Sequence, residues 1–197
     1  MSLPLLQIIT GSTRPGRAGA AVASWFADHA RTHGGFEVEL VDLAEVDLPM
    51  FDEPNHPMTG NYVNEHTRRW SARVSRAQAY VLVTPEYNNG YPAVLKNALD
   101  YLNREWRHKA VGFVSYGGVS AGTRATGQLK QVVTTLRMVP VQDAVHIPFI
   151  AQHLGEDGTF QATDAVVASA KKLLDELLLV GTALLPLHAP VTTDDGS

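Results

Sequence analysis

The sequence predicts a three-layer α/β sandwich, a parallel sheet with helices on both faces. Three observations carry that reading. Short unbroken apolar runs alternate five times with longer stretches at helical spacing. Unbroken runs suit strands buried on both faces, as in a parallel sheet. The 197 residues suit one α/β domain and are enough to bury a core without cross-links.

The strand runs are 5–10, 36–41, 79–84, 110–115 and 144–148. Between the first two, Ala18, Val22, Trp25, Phe26 and His29 fall on one face of a helix. Residues 42–60 are rich in Asp, Glu, Pro and Met and read as a long connection with one short turn. Residues 62–77 form a charged second helix with one wet face. Val94, Leu95, Ala98, Leu99 and Leu102 mark a third, with Pro92 suited to its first turn. Ser120 is placed to cap a fourth, which runs to about Arg137. In the last, Val166, Val167, Ala170, Leu173, Leu174, Leu177 and Leu178 make a full apolar stripe, with Thr163 as N-cap. Residues 1–190 read as one domain and 191–197 as a polar, disordered tail.

Composition excludes several classes. There is no cysteine, hence no disulfide, thiol nucleophile or thiolate metal site. The net charge of −4, without a basic block, argues against nucleic acid and anionic membrane as partners. The apolar runs are too short to span a bilayer. Residues 1–3 lead straight into a strand pattern without a charged leader, so the expected location is the cytoplasm.

In a parallel α/β sheet, ligands bind beyond the carboxyl ends of the strands, which directs attention to three loops. The first is Gly11-Ser12-Thr13-Arg14-Pro15-Gly16-Arg17. It opens a helix, where unpaired N–H groups and the helix dipole favour an anion. Gly11 and Gly16 allow close backbone approach, Ser12 and Thr13 add hydroxyls, and Arg14 and Arg17 add charge suited to a phosphate. The Gly-Lys-Ser/Thr ending of a Walker A loop is missing, and so are the three glycines of a dinucleotide fingerprint. Asp42, at the end of the second strand, stands where a ribose-binding acid would, but without those glycines.

The second loop, residues 84–92, holds Pro85, Glu86, Tyr87, Asn88, Asn89, Gly90, Tyr91 and Pro92. Aromatic walls beside amide and backbone groups suit a flat heteroaromatic ligand; the same residues also suit a plain turn. The third loop, residues 115–122, carries Ser115 and the pair Gly117 and Gly118 beside another helix start. Alone it reads as an ordinary β-to-α turn.

Together these residues resemble the NADPH-dependent FMN reductase family, a flavodoxin-like group that includes chromate, quinone and azo-compound reductases. The likeness lies in the G-S-x-R loop at 11–14, the T-P-E-Y-N block at 84–88 leading into P-A-V-L-K-N-A-L-D at 92–100, and the glycine pair. It implies a five-stranded sheet in the order 2-1-3-4-5. It implies that Gly11, Ser12, Arg14, Gly16 and the following backbone hold the FMN phosphate, with Arg17 replacing a serine common in relatives. It implies that Pro85, Glu86, Tyr87 and Asn88 line the isoalloxazine ring, and that Ser115, Gly117 and Gly118 approach from the far side. The implied activity is transfer of hydride from NADPH or NADH through FMN to quinones, azo compounds, metal oxyanions or free flavin. A homodimer is implied, or a homotetramer. The alternative is a flavodoxin-like electron carrier, or an FMN-binding protein without reductase activity.

His29 and His33 stand four residues apart on the first helix, but Ala30 replaces the glutamate of a zinc-protease motif, so no metal is expected. Ser12 and Ser115 lack a nucleophile-elbow setting. No side chain is expected to act as a catalytic acid or base, because in this class the cofactor carries the chemistry.

Overall fold

Strands β1 (Leu5–Thr10), β3 (Ala79–Pro85) and β4 (Ala110–Tyr116) are buried along their whole length in the computed structural model, which describes residues 3–188. Each begins where its apolar run begins and ends within one residue of it. β2 (Glu37–Asp42) sits one residue later than expected and is partly exposed at the sheet edge. The strands pair in parallel in the order β2-β1-β3-β4-β5, the flavodoxin-like arrangement.

The fifth position departs from the expected single strand. β5 (Val139–Pro140) and β6 (Val145–Ile147) both pair with β4, so the expected run supplies only the second piece of a sheet with six strands. The break has a local cause. The amides of Gln142 and Asp143 donate to the Glu176 carboxylate, at 3.0 and 2.6 Å, instead of to β4. Pro140 has no N–H to offer the ladder.

One face of the sheet carries α1 (Gly19–His33), and the first turn of the long connection is α2 (Leu43–Val46), followed by a 3-10 turn at Pro57–Thr59. Further on come α3 (Glu65–Ser75), α4 (Ala93–Asp100), α5 (Thr123–Thr135) and α6 (Asp164–Leu184). Ile8 and Val81 pack with Val22, Phe26, Leu173 and Leu177 of α1 and α6. Ile9 and Leu82 point the other way, to Trp70, Leu95, Leu99 and Leu129 of α3, α4 and α5. Alternation along each buried strand thus feeds two cores. Leu95 and Leu99 face the sheet, so the apolar stripe of α4 belongs to the core.

The long connection is pinned down. Asn97 donates to the Pro49 carbonyl at 2.7 Å and accepts from the Phe51 amide at 2.9 Å. The Glu53 carboxylate accepts from the amides of Val63 and Asn64. Thr163 caps α6 as expected, accepting from the Val166 amide. Ser120 does not cap α5. Gly122 takes the cap position at φ 80°, and the Ser120 hydroxyl is drawn to Glu86 at 2.8 Å. No helix among the described residues is long and apolar enough to cross a membrane. The expected tail 191–197 lies outside the described residues.

Candidate functional site

Strand register brings the three loops to one edge. Thr10 is level with Asp42 and Val83, and Thr84 and Pro85 are level with Ser115 and Tyr116. Loops 11–17, 86–92 and 117–122 therefore open beside one another at the carboxyl end of the sheet.

The first loop continues the β1 ladder by one bond, Gly11 N–H to Val83 O at 2.8 Å. A Cβ on Gly11 would lie 2.9 Å from the Leu95 side chain and 3.0 Å from Val83 O, so any side chain there would crowd both. Ser12 is buried, and its hydroxyl lies 2.8 Å from the Tyr87 hydroxyl. The chain then surfaces. Thr13, Arg14, Pro15 and Gly16 are exposed, and the turn closes with Arg17 N–H on Arg14 O at 3.1 Å. Gly16 takes φ 70°, which glycine adopts without cost. The Arg14 guanidinium makes no hydrogen bond or ion pair among the described residues. Arg17 differs: it pairs with Asp42, whose other oxygen accepts from the Ala44 amide at 2.9 Å to cap α2. Its Nε is buried and has no partner.

The second loop is built on a tight turn. Tyr87 and Gly90 exchange both backbone bonds, at 2.8 and 2.9 Å. Asn88 and Asn89 between them take φ 50° and 70°, the pair of left-handed residues a two-residue hairpin turn needs and asparagine tolerates. Glu86 faces the third loop. Its carboxylate accepts from the Ser120 hydroxyl at 2.8 Å, from the Arg124 amide at 3.1 Å and from the Arg124 guanidinium at 2.9 Å. Burial pushes its pKa up, but these bonds outweigh burial and hold it below the usual glutamate value. Glu86 thus ties the second loop to the amino end of α5.

In the third loop Gly117 N–H donates to Ile147 O, while Gly117 O and Gly118 O accept from the amides of Ile150 and Phe149. Gly118 is exposed, and a Cβ there would meet nothing within 4 Å. Ser115 lies apart from this surface. It is fully buried, and its hydroxyl lies 2.8 Å from Ala121 O and 2.7 Å from His146 Nδ1. The backbone of this loop reaches the site edge, and the Ser115 side chain faces inward.

Several residues here carry no sequence signal. Arg124 and His146 meet their partners across 38 and 31 residues of chain, and the pairing of Asp42 with Arg17 is likewise not announced by its place at a strand end. Tyr116 is buried with its hydroxyl against the first residue of α1, where a Cβ on Gly19 would come within 2.5 Å. Burial raises its pKa above the ordinary phenol value.

The two α1 histidines have other partners: His29 stacks on Trp25, and His33 lies 3.1 Å from Asp175. Among the described residues no three His, Asp or Glu gather as a metal site. An open cleft between α1 and α6 is lined by His29, His33, Val167 and Lys171 but by nothing from the three loops.

A model of the NADPH-dependent FMN reductase family matches residues 4–152. An NAD(P)H-dependent FMN reductase of Schizosaccharomyces pombe is 42% identical over 149 residues, covering 74% of each chain. An FMN-dependent NADPH-azoreductase of Staphylococcus aureus is 30% identical over 161 residues, 80% of this chain and 84% of that one. The flavoenzyme NAD(P)H:(acceptor) oxidoreductase of Paracoccus denitrificans shares the fold, with a TM-score of 0.72 over 92% of this chain and 98% of that one at 21% identity.

Proposed function

Because this chain belongs to the NADPH-dependent FMN reductase family, an oxidoreductase family with FMN and NAD(P)H as cofactors, we propose that FMN lies across the three loops and serves reduction of quinones or azo compounds. The residues fit that guest. Beside a loop suited to a phosphate dianion stand the Arg14 guanidinium and the buried Arg17 Nε, neither with a partner among the described residues. Arg14, the Ser12 hydroxyl and the backbone N–H groups of Thr13 and Gly16 would hold the phosphate, the amides of Gly11 and Arg17 being engaged within the protein. The backbone of Pro85, Glu86, Tyr87 and Asn88 lines the ring, with Gly117 and Gly118 opposite. Bound FMN supplies the two-electron chemistry, taking hydride from NAD(P)H and passing electrons to the acceptor.

The observation that carries the acceptor class is the open face beside the glycine pair. Gly118 leaves free space, and Tyr87, 37% exposed, presents an aromatic edge to a planar molecule. The azoreductase name of one relative supports the same class. A single face for nicotinamide and acceptor means that one leaves before the other binds. Anaerobic NADPH is therefore expected to remove the visible absorbance of the holoprotein, and a quinone added afterwards to restore it. Double-reciprocal plots at several quinone concentrations are expected to be parallel. Absorbance unchanged by both NADPH and NADH would sink the reading. Assembly as a homodimer in the cytoplasm belongs to the same proposal; light scattering that reports a monomer at micromolar protein would refute the dimer.

A further inference from the structure

The bond network around Ser115 has one consistent assignment. Its hydroxyl has a single proton and two close neighbours, Ala121 O at 2.8 Å and His146 Nδ1 at 2.7 Å. A carbonyl oxygen only accepts, so the serine proton goes to Ala121. The second contact is then a hydrogen bond only if His146 Nδ1 carries a proton and donates to the serine oxygen. His146 stands beside Ser115 in register across β4 and β6, with Val145 and Ile147 buried on either side of it. His146 is itself exposed on the strand, and partial burial of its ring together with Lys130 on α5 lowers its pKa, favouring a neutral ring. The contact with Ser115 places the one proton of that ring on Nδ1.

What this chain of bonds holds is a strained turn. Ala121 takes φ 52° and Gly122 φ 80°. Left-handed backbone at a non-glycine residue persists only where its surroundings fix it. A Cβ on Gly122 would sit 2.7 Å from the Ser115 Cβ, so the turn is pressed directly onto this serine. Ala121 N–H in turn bonds Gly118 O at 3.1 Å, which passes the constraint to the glycine pair.

We propose that His146 is a positioning residue for the flavin-side loop: it donates through Nδ1 to Ser115, directs the serine proton to Ala121 O, and so fixes the turn that carries Gly117 and Gly118. The proposal rests on the reading that this loop faces FMN. Nothing in the reaction requires His146 to touch substrate.

The test uses variants of the full chain at His146. Asparagine keeps a donor nitrogen at the Nδ1 position, glutamine moves it one atom further out, and leucine removes it. His146→Leu and His146→Gln are expected to weaken FMN binding about 3- to 10-fold and to alter the visible circular dichroism of bound FMN. His146→Asn is expected to restore both. In a Ser115→Ala background, His146→Leu should add less than about twofold, because the two residues act as one unit. An undiminished loss in that background overturns the proposal, as does wild-type behaviour of His146→Leu. Should the leucine variant fail to fold, the asparagine–glutamine contrast decides alone, and equal behaviour of the two overturns the proposal. Hydrogen exchange at the amides of residues 121–123 in FMN-free protein reads the bond chain without flavin. Faster exchange in His146→Gln with unchanged FMN affinity and spectrum overturns the link to the flavin. The site reading fails separately, if Arg14→Ala leaves FMN affinity unchanged.

Discussion

The two ends of the site are held in opposite ways. Loop 11–17 is anchored at Gly11 and Ser12, runs exposed over 13–16 and is tied down again where Arg17 pairs with Asp42, while the Arg14 guanidinium has no partner among the described residues. Loops 84–92 and 115–122 are bound to each other through Glu86, and to β6 and its following turn through Gly117, Gly118 and Ser115. The contrast matches the demands of the two halves of FMN in the placement we propose. A phosphate is gripped by groups that are free to meet it, whereas a ring that exchanges partners needs walls that stay in place. Removing a group at the first end should therefore cost affinity with little loss of fold stability, and at the second end should cost both.

Arg14→Ala is the sharpest test and the largest expected effect. Loss of a charged hydrogen bond, about 1.5–3 kcal/mol, weakens FMN binding roughly 10- to 150-fold. The melting temperature of the FMN-free protein should not move. Flavin-fluorescence titration and a thermal melt check the two halves, and a lowered melting temperature would erase the contrast.

Glu86→Ala comes next. It leaves the Ser120 hydroxyl and the Arg124 amide without their acceptor, and is expected to destabilise the FMN-free protein by about 2 kcal/mol in urea. Because the Glu86 pKa is depressed in the fold, its contribution is present above the ordinary glutamate range and is lost as pH falls through the folded value. Glu86→Gln should remove that share of acid sensitivity; an acid-unfolding midpoint identical to wild type contradicts this. The smallest effect is expected from Tyr87→Phe. It removes the hydroxyl contact between the two ends, at a half-exposed side chain, for at most about 1 kcal/mol. A loss as large as that of Glu86→Ala would show that the ends are coupled through Ser12.

β1, β3 and β4 were legible because burial on both faces leaves unbroken apolar runs. β5 was not: two residues, one a proline, carry no period, and the gap is made by Glu176 from a distant helix. The loops were legible as places, since topology puts them at one edge. Their side-chain partners were not. Arg17 with Asp42, Glu86 with Arg124 and Ser115 with His146 are contacts made by folding, and no spacing announces them. Ser120 suits the role of helix cap by its place before a helix, but the carboxylate that attracts it lies 34 residues upstream.

The broken fifth position also bears on how this sheet behaves in a crowd. An open sheet edge presents unpaired backbone groups to any other extended chain. Here that edge ends in pieces of two and three residues, one of them containing Pro140, and too short to template a new strand. The opposite edge is β2, where Glu37 is exposed and the Glu39 carboxylate is paired with Arg73 and Arg76. At the broken edge, strand addition by another chain finds almost no continuous backbone to extend.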